Sequence, residues 1–387
     1  MKILHVHQDY PDGRNYPSTL AVSNLLDGVK KFEPSLEHYV LSINRTSNPF
    51  KVSIKKFDQG LSVIYWALPV PFVYRPIIYI WSLILFYFIK KNKFSLVHGH
   101  KLTTEGMFTY YLANKLKVPY VLSVRGGSDT HNIKRLPDCK SIFSKIYRNS
   151  KVIFYVSPWC KGFVESELRY KHPTTLDLPN ICQFSLHTSN SIDVCSRQGY
   201  VTILSFHQYK RKGLEQLLTA IKKLKDGGVA LNLTVIGSGD NEYVEKVKKL
   251  INGLSLANEV SLTGSISQKD VLKILKQSRA FLLPSKNETF GMTYVESLAS
   301  GCPILYLENT GIDGHLECVN AGVKIPDNDV DNIEKSLFKF ENEYSSIKKG
   351  VELILDSHYL KKFTEEKISE NYTHVLRSIT ELEKEFL

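Results

Sequence analysis

Cysteine is scarce in this chain, with six in 387 residues, and methionine and tryptophan are scarcer still at three each. The cysteines, at 139, 160, 182, 195, 302 and 318, form no Cys-x-x-Cys pair and follow no regular spacing. That argues against a disulfide framework or a thiolate zinc site and suits a reducing compartment. No apolar run reaches the roughly twenty residues that a helix needs to cross a bilayer. Nucleic-acid signatures are missing too, and the lysines are scattered rather than clustered. The chain enters a strand-like run at once, Met1-Lys-Ile-Leu-His-Val, so no signal peptide is expected.

What is present is ordinary globular material. Hydrophobic residues make up 43% and charged residues 23%, enough in a chain of this length for two or three domains with ample core. The net charge of +11 favours an anionic partner such as lipid headgroups or a phosphorylated acceptor. Nucleic acid is not the expected partner.

Strand-like and helical periodicities alternate in two series. Strands are expected at Lys2–Gln8, His38–Ile43, Leu61–Leu68, from Ser95, from Tyr120 and at Val152–Val156. The second series has them at Tyr200–Phe206, Leu231–Ile236, from Glu259 and at Ala280–Leu283. Such alternation implies α/β architecture with parallel sheets covered by helices, and ligand sites beyond the carboxyl ends of the strands. Residues 185–199 turn to Ser, Thr, Asn and Gln and read as a linker. Between Pro76 and Ile89 the chain is apolar almost all round. This segment reads either as a buried core helix or as a helix half-sunk in a membrane face, with Arg75 and Lys90-Lys91 at the headgroups.

One stretch concentrates chemistry: Pro284-Ser-Lys-Asn-Glu288-Thr-Phe290-Gly291-Met292-Thr-Tyr-Val-Glu296-Ser-Leu-Ala-Ser-Gly301-Cys-Pro303. Val295, Leu298 and Ala299 share one helical face, Gly301 is placed to end that helix, and Pro303 prevents its resumption. A helix start exposes backbone N–H groups and partial positive charge, and Gly291 lets a ligand approach the backbone closely. Glu296, expected in the first helical turn, and Glu288, on the preceding loop, are acceptors for sugar hydroxyls on either side of that anion site. The order hydroxyl–diphosphate–hydroxyl is that of a nucleotide sugar. On spacing alone, the two glutamates read equally as a complement to the helix dipole and a solvated carboxylate.

Pro-Ser-x-x-Glu-x-Phe-Gly, a second glutamate and Ala-x-Gly-x-Pro together resemble the donor-site signature of the family-4 retaining glycosyltransferases. The resemblance covers most of residues 95–325. It implies a GT-B fold: two Rossmann-like domains whose parallel sheets face a central cleft. The expected organisation is an acceptor-binding domain at 1–184, a nucleotide-sugar-binding domain at 200–365, and a last helix, 366–387, returning to the first domain. By the same resemblance, Glu288 contacts the transferred sugar, Glu296 the ribose, and the backbone of Phe290-Gly291-Met292 the distal phosphate.

Other positions match less closely. The family sets an arginine and, five residues later, a lysine before glycine on the donor diphosphate. Lys212-Gly213 fits, but His207 stands at the arginine's place. Either a protonated His207 binds, or Lys210 or Arg211 reaches in, or the donor site is weakened. Gly237, in Gly237-Ser-Gly239, and the backbone at Ser265-Ile266 are donor-side candidates, the latter pair for base contacts. On the acceptor side, Asp12-Gly13-Arg14 replaces the family's usual Gly-Gly, which makes Arg14 a candidate. His98-Gly-His100 resembles the family's Val-His-x-His; no third metal ligand is expected near it, so His100 reads as a hydrogen-bonding residue at the cleft edge. Arg125-Gly-Gly-Ser-Asp129 resembles a variant found in bacterial surface-polysaccharide transferases. Arg125 would bind diphosphate or acceptor, with Asp129 beside it. The plain alternative is a structural Arg125–Asp129 pair.

The expected function is therefore a hexosyl- or other glycosyltransferase that is metal-independent and needs no cofactor beyond its nucleotide-diphosphate sugar. Glu288, Lys212 and Arg125 would act at the reacting centre. The acceptor would be a saccharide or lipid-linked saccharide of O-antigen, capsule or exopolysaccharide synthesis, at the inner face of the cytoplasmic membrane. A nucleotide-sugar epimerase or hydrolase of the same fold, or an idle nucleotide-sugar-binding protein, are the competing readings.

Overall fold

A computed structural model of the chain describes residues 1–16, 18–185, 197–317 and 319–385. Two compact units emerge: Met1–Ile181 together with Glu365–Leu387, and Cys182–Thr364. The stretch expected as a linker, 185–199, lies over 186–196 outside the described residues.

The first unit is built on eight strands: β1 (Lys2–His7), β2 (Glu37–Thr46), β3 (Ser53–Phe57), β4 (Gly60–Trp66), β5 (Leu96–Gly99), β6 (Tyr120–Val124), β7 (Ile153–Tyr155) and β8 (Thr175–Asp177). Their order across the sheet is β3-β4-β2-β1-β5-β6-β7-β8. All pairs are parallel except β3–β4, an antiparallel hairpin at the edge. This departs from the uniformly parallel sheet expected. Ser-Ile-Lys-Lys-Phe is too polar to read as a buried strand, and an edge strand tolerates its lysines.

One sheet face packs on a core that includes Leu41, Ile43, Met107, Phe108 and Tyr147. The other packs on the helix Leu20–Phe32, whose Leu25 and Val29 are buried, and on the C-terminal helix Glu365–Glu385 through Ile368, Tyr372 and Leu376. The tail from Ser357 is one short 3-10 turn, Tyr359–Phe363, followed by that helix.

The apolar segment forms the helix Tyr74–Ile89, with Tyr74, Ile78, Ser82, Leu85 and Ile89 buried. Its opposite face leaves Ile80, Tyr87 and Phe88 exposed. It is thus not a wholly buried core helix. Among the described residues no helix is long and apolar enough to cross a membrane.

The second unit has β9 (Tyr200–Ile203), β10 (Leu233–Ile236), β11 (Val260–Gly264), β12 (Ala280–Leu283), β13 (Ile304–Leu307) and β14 (Gly322–Ile325). They are ordered β11-β10-β9-β12-β13-β14 and pair in parallel throughout. The order reverses between β9 and β12. In open α/β sheets the loops at such a switch point form the ligand crevice.

Candidate functional site

The loop after β12 and the turn after β9 lie side by side at that switch point. The Lys286 N–H donates to the Arg211 carbonyl (2.9 Å), and Arg211 Nη1 donates to the Asn287 carbonyl (3.3 Å). Gly213, at φ +73°, seals the contact: a Cβ there would lie 2.3 Å from the Pro284 carbonyl oxygen. Only glycine combines that backbone with that approach.

The result is an ion pair between the Lys212 ammonium and the Glu288 carboxylate, both largely but not wholly buried. Ser285 Oγ donates to the same carboxylate oxygen at 3.1 Å. The Glu288 main chain is fixed from the far side, its carbonyl accepting from Thr310 Oγ1 (3.0 Å) and Gly311 N (2.8 Å).

The helix Met292–Ala299 begins beside this pair. Its N-cap is Gly291, at φ +77°, and no side chain caps its first N–H groups. A Cβ on Gly291 would sit 2.5 Å from the Tyr294 ring, which is fully buried and donates its hydroxyl to the Leu283 carbonyl at 2.7 Å. Tyr294 thereby ties the helix start to the end of β12. Phe290 is fully buried against His315 and Phe363, so its side chain anchors the loop. Met292 is exposed. Gly301, at φ +68°, ends the segment as anticipated.

Glu296 is the fifth residue of that helix and so lies in its second turn, not its first. The left-handed Gly291 defers the helix start to Met292. Burial raises the Glu296 carboxyl, opposed by a hydrogen bond from Gln268. A carboxylate one turn in is no dipole cap; it is a half-buried acceptor beyond the exposed N–H groups.

The cations divide clearly. Lys212 and Arg211 belong to the Glu288 loop, Arg211 also donating to Gln208 Oε1 (2.5 Å). His207 turns instead towards Asp240 (3.8 Å) and packs on Tyr243. Gly237 closes β10 against β11, donating to the Gly264 carbonyl (3.1 Å), and a Cβ there would meet the Leu204 carbonyl oxygen at 1.9 Å. Ser265 is exposed and Ile266 half-buried just past β11.

In the first unit several anticipated site residues are braces. Asp129 is fully buried, and Oδ1 accepts from Leu102 N (2.9 Å), Thr103 N (3.2 Å) and Thr103 Oγ1 (3.3 Å) while Oδ2 accepts from Arg125 N (2.9 Å). It therefore pins two loops together, and among the described residues no guanidinium is hydrogen-bonded to it. The Arg125 side chain reaches Asn180 Oδ1 at 2.7 Å, with Glu105 and Asp129 opposing the effect of its burial. Gly126, at φ +84°, turns the chain under Trp159 into the helix Gly127–Arg135. Arg14 is held by Asp12, Asn44 Oδ1 (2.7 Å) and Ser42 Oγ (3.1 Å).

Sequence reasoning missed two features here. Glu105 is fully buried, accepts from Gln8 N (2.9 Å) and faces Lys101 (3.3 Å) and His7 (3.4 Å). Burial alone would raise its carboxyl, but Lys101, His7 and the Gln8 N–H hold it down to about 2. Burial outweighs Glu105 at His7 and lowers that imidazole, so the ammonium of Lys101 is the standing countercharge at neutral pH.

The second feature places a third histidine beside His98 and His100, where no third metal ligand was expected. His5 stands beside His98 in the β1–β5 register, and one nitrogen from each of His5, His98 and His100 lies within 4.8 Å of the others. Alternation along β1 was the available signal, but which strand neighbours β1 is a matter of topology.

Comparison with known proteins gives a consistent picture. Residues 196–352 match the family model described as glycosyl transferases group 1. The 2-deoxystreptamine N-acetyl-D-glucosaminyltransferase of Niallia circulans is 34% identical over 138 residues, which is 34% of this chain and 35% of that protein. The chain thus spans about a third of that relative's length. The alpha-monoglucosyldiacylglycerol synthase of Acholeplasma laidlawii is 25% identical over 333 residues, 78% of this chain and 79% of that protein. Among solved structures, Anabaena Alr3699/HepE in complex with UDP superposes with a TM-score of 0.64 at 12% identity, covering 98% of this chain and all of that one. At that identity the likeness shows the fold, which is GT-B with two Rossmann-like units.

Proposed function

We propose that this chain, whose residues 196–352 match the model of the group 1 glycosyl transferases, is a retaining glycosyltransferase using a nucleotide-diphosphate sugar. The observation that carries this is the Lys212–Glu288 pair, braced by Ser285 and Thr310 beside the uncapped helix start at Gly291. Each member suits a different part of such a donor. The diphosphate takes the ammonium of Lys212 and the N–H groups after Gly291, and the freed Glu288 carboxylate accepts from sugar hydroxyls. Glu296, one helical turn further on, is the acceptor for ribose. Fixed donors aimed at the leaving diphosphate stabilise the charge that grows on it, which is the largest lever in such reactions.

Arg211 supplies the guanidinium that His207 does not. Since these cations do the work that a divalent ion does elsewhere, transfer is proposed to run without metal, with the departing phosphate taking the acceptor's proton. The complex of HepE with UDP supports the donor class.

For the acceptor, we infer a saccharide on a lipid carrier, as in surface-polysaccharide synthesis. The helix Tyr74–Ile89 presents Ile80, Tyr87 and Phe88 outward, with Phe72 exposed just before it and Lys90 over the Tyr87 ring at 4.2 Å. An aromatic row edged by lysine matches an anionic membrane surface. Next to it Phe72, Arg75, Pro76, Tyr79, Tyr111 and Asp138 line a cavity of about 500 Å³.

The test of function is product analysis with EDTA present. Transfer to an added acceptor supports the proposal; complete donor conversion without acceptor replaces it with the hydrolase or epimerase reading. For the membrane, the protein is expected to float with vesicles rich in anionic lipid, and a Tyr87→Ser, Phe88→Ser double variant to remain behind. Flotation unaffected by the substitutions rejects this face.

A further inference from the structure

Five histidines gather in the first unit, four of them buried outright: His5 and His7 from β1, and His98 and His100 from β5 and the residue after it; His38 of β2 joins them. The rings of His98 and His100 lie 3.9 Å apart between centroids, and His5 stacks on His100 at 5.3 Å. His5 Nδ1 faces His100 Nε2 at 3.1 Å, and His5 Nε2 faces His38 Nδ1 at 3.0 Å. His98 is held by the Tyr372 hydroxyl at 2.6 Å on Nδ1 and by Ser123 Oγ at 2.8 Å on Nε2.

Hydrogen bonding alone does not complete this cluster. Neutral His38, His5 and His100 carry one N–H each, while the chain through them contains two bonds. One N–H therefore always points at nothing, at His38 Nε2 or at His100 Nδ1, according to the direction of the chain. Both atoms are buried and without a partner, as is His7 Nε2. Whichever way the chain runs, a shared proton is all that joins the facing nitrogens of His5 and His100, whose lone pairs are both free to take an ion instead.

From this geometry we propose that His5, His98 and His100 bind a divalent ion of the zinc type. Their ligand nitrogens already lie within 4.8 Å of one another. Two imidazoles on a tetrahedral ion at 2.0–2.1 Å hold their nitrogens about 3.3 Å apart, close to the separation of His5 and His100. Ligating histidines use their outer nitrogen to donate to a fixed acceptor, which sets tautomer and ring orientation. His5 has His38 Nδ1 for that purpose, and His98 has the Tyr372 hydroxyl or Ser123.

An all-imidazole set selects zinc, copper or nickel over magnesium, calcium or manganese. Burial keeps these imidazoles neutral, as ligation requires. The buried Glu105 carboxylate offsets charge at His98, where Arg125 acts in the opposite sense. The site would fasten β1 to β5 and, through Tyr372, to the C-terminal helix. It is structural, lies in the first unit and has no part in the proposed transfer step.

The experiment uses full-length protein without a histidine tag, stripped with chelator and titrated with Zn²⁺, Co²⁺ or Mg²⁺. One equivalent of Zn²⁺ is expected to bind and to raise the melting temperature, with Mg²⁺ without effect. Co²⁺ should give the visible absorption of a tetrahedral site. His5→Gln and His100→Gln should each weaken Zn²⁺ binding at least tenfold, while His172→Gln, outside the cluster, leaves it unchanged. Wild-type protein that takes up no Zn²⁺, or uptake that survives both cluster substitutions, overturns the proposal. Should those variants fail to fold, the Co²⁺ spectrum of the wild type decides it.

Discussion

The charged groups of the two units live under different conditions. In the second, Lys212 and Glu288 each keep part of their side chain in solvent and hold one another on a loop. In the first, Asp129 and Glu105 are fully buried, and every carboxylate oxygen has a partner among backbone N–H groups, Thr103, Lys101 and His7. A pair of the first kind can exchange partners when a phosphate or a hydroxyl arrives, because water and ligand compensate each charge. Groups of the second kind cannot, since parting them strands a charge at low dielectric. The contrast separates the proposed site for ligands from a scaffold, although both contain the same residue types.

Substitutions should divide along that line. The largest effect belongs to the exchangeable pair: Glu288→Ala or Lys212→Ala is expected to lower transfer at least ~100-fold, as loss of a transition-state donor does. Melting should shift little, and circular dichroism should be that of the wild type. Near-normal turnover from either variant would refute the roles given to them.

Asp129→Ala should do the reverse. Leaving its N–H partners unpaired in the core costs about 3 kcal/mol. Denaturant unfolding would read that loss, while nucleotide affinity stays within error of wild type; weakened nucleotide binding at full stability would move Asp129 into the site.

Glu105 gives the comparison a pH signature. Its folded carboxyl sits at about 2 against an ordinary value of 4.5. A depressed carboxyl stabilises above its unfolded pKa and loses that contribution as pH falls through the folded one. The window is therefore about pH 4.5 down to 2, worth on the order of 2–3 kcal/mol. Acid titrations of wild type and Glu105→Gln should differ in slope across that window, and parallel curves would remove Glu105 from the account.

Smallest is Gly213→Ala, which forces a Cβ towards the Pro284 carbonyl. A loss of about 2 kcal/mol is expected, together with weaker nucleotide binding as Lys212 is displaced. Unchanged affinity would show that the two loops are not coupled.

What could be read beforehand follows from distance along the chain. Glu288, Gly291, Glu296 and Gly301 lie within one strand–loop–helix segment, so their spacing carried the geometry. The deferred position of Glu296 escaped because it depends on one left-handed residue, Gly291. Lys212 was legible as a motif, but its contact with Glu288 is long-range and set by β9 lying beside β12. Asp129 looked like a ligand group because sequence shows its charge and not its four donors. The histidine cluster was illegible for a related reason: His5 and His98 stand 93 residues apart and meet only through the β1–β5 register.

Lys212 is expected to give up Glu288 for a nucleotide diphosphate. Calorimetric titration of UDP, GDP and ADP into wild type and Lys212→Ala tests it most directly. At least one nucleotide should bind the wild type, and the substitution should weaken that binding at least ~30-fold, in keeping with the loss of a charge-assisted contact. Binding of equal strength to both proteins, or no binding to the wild type, would contradict it.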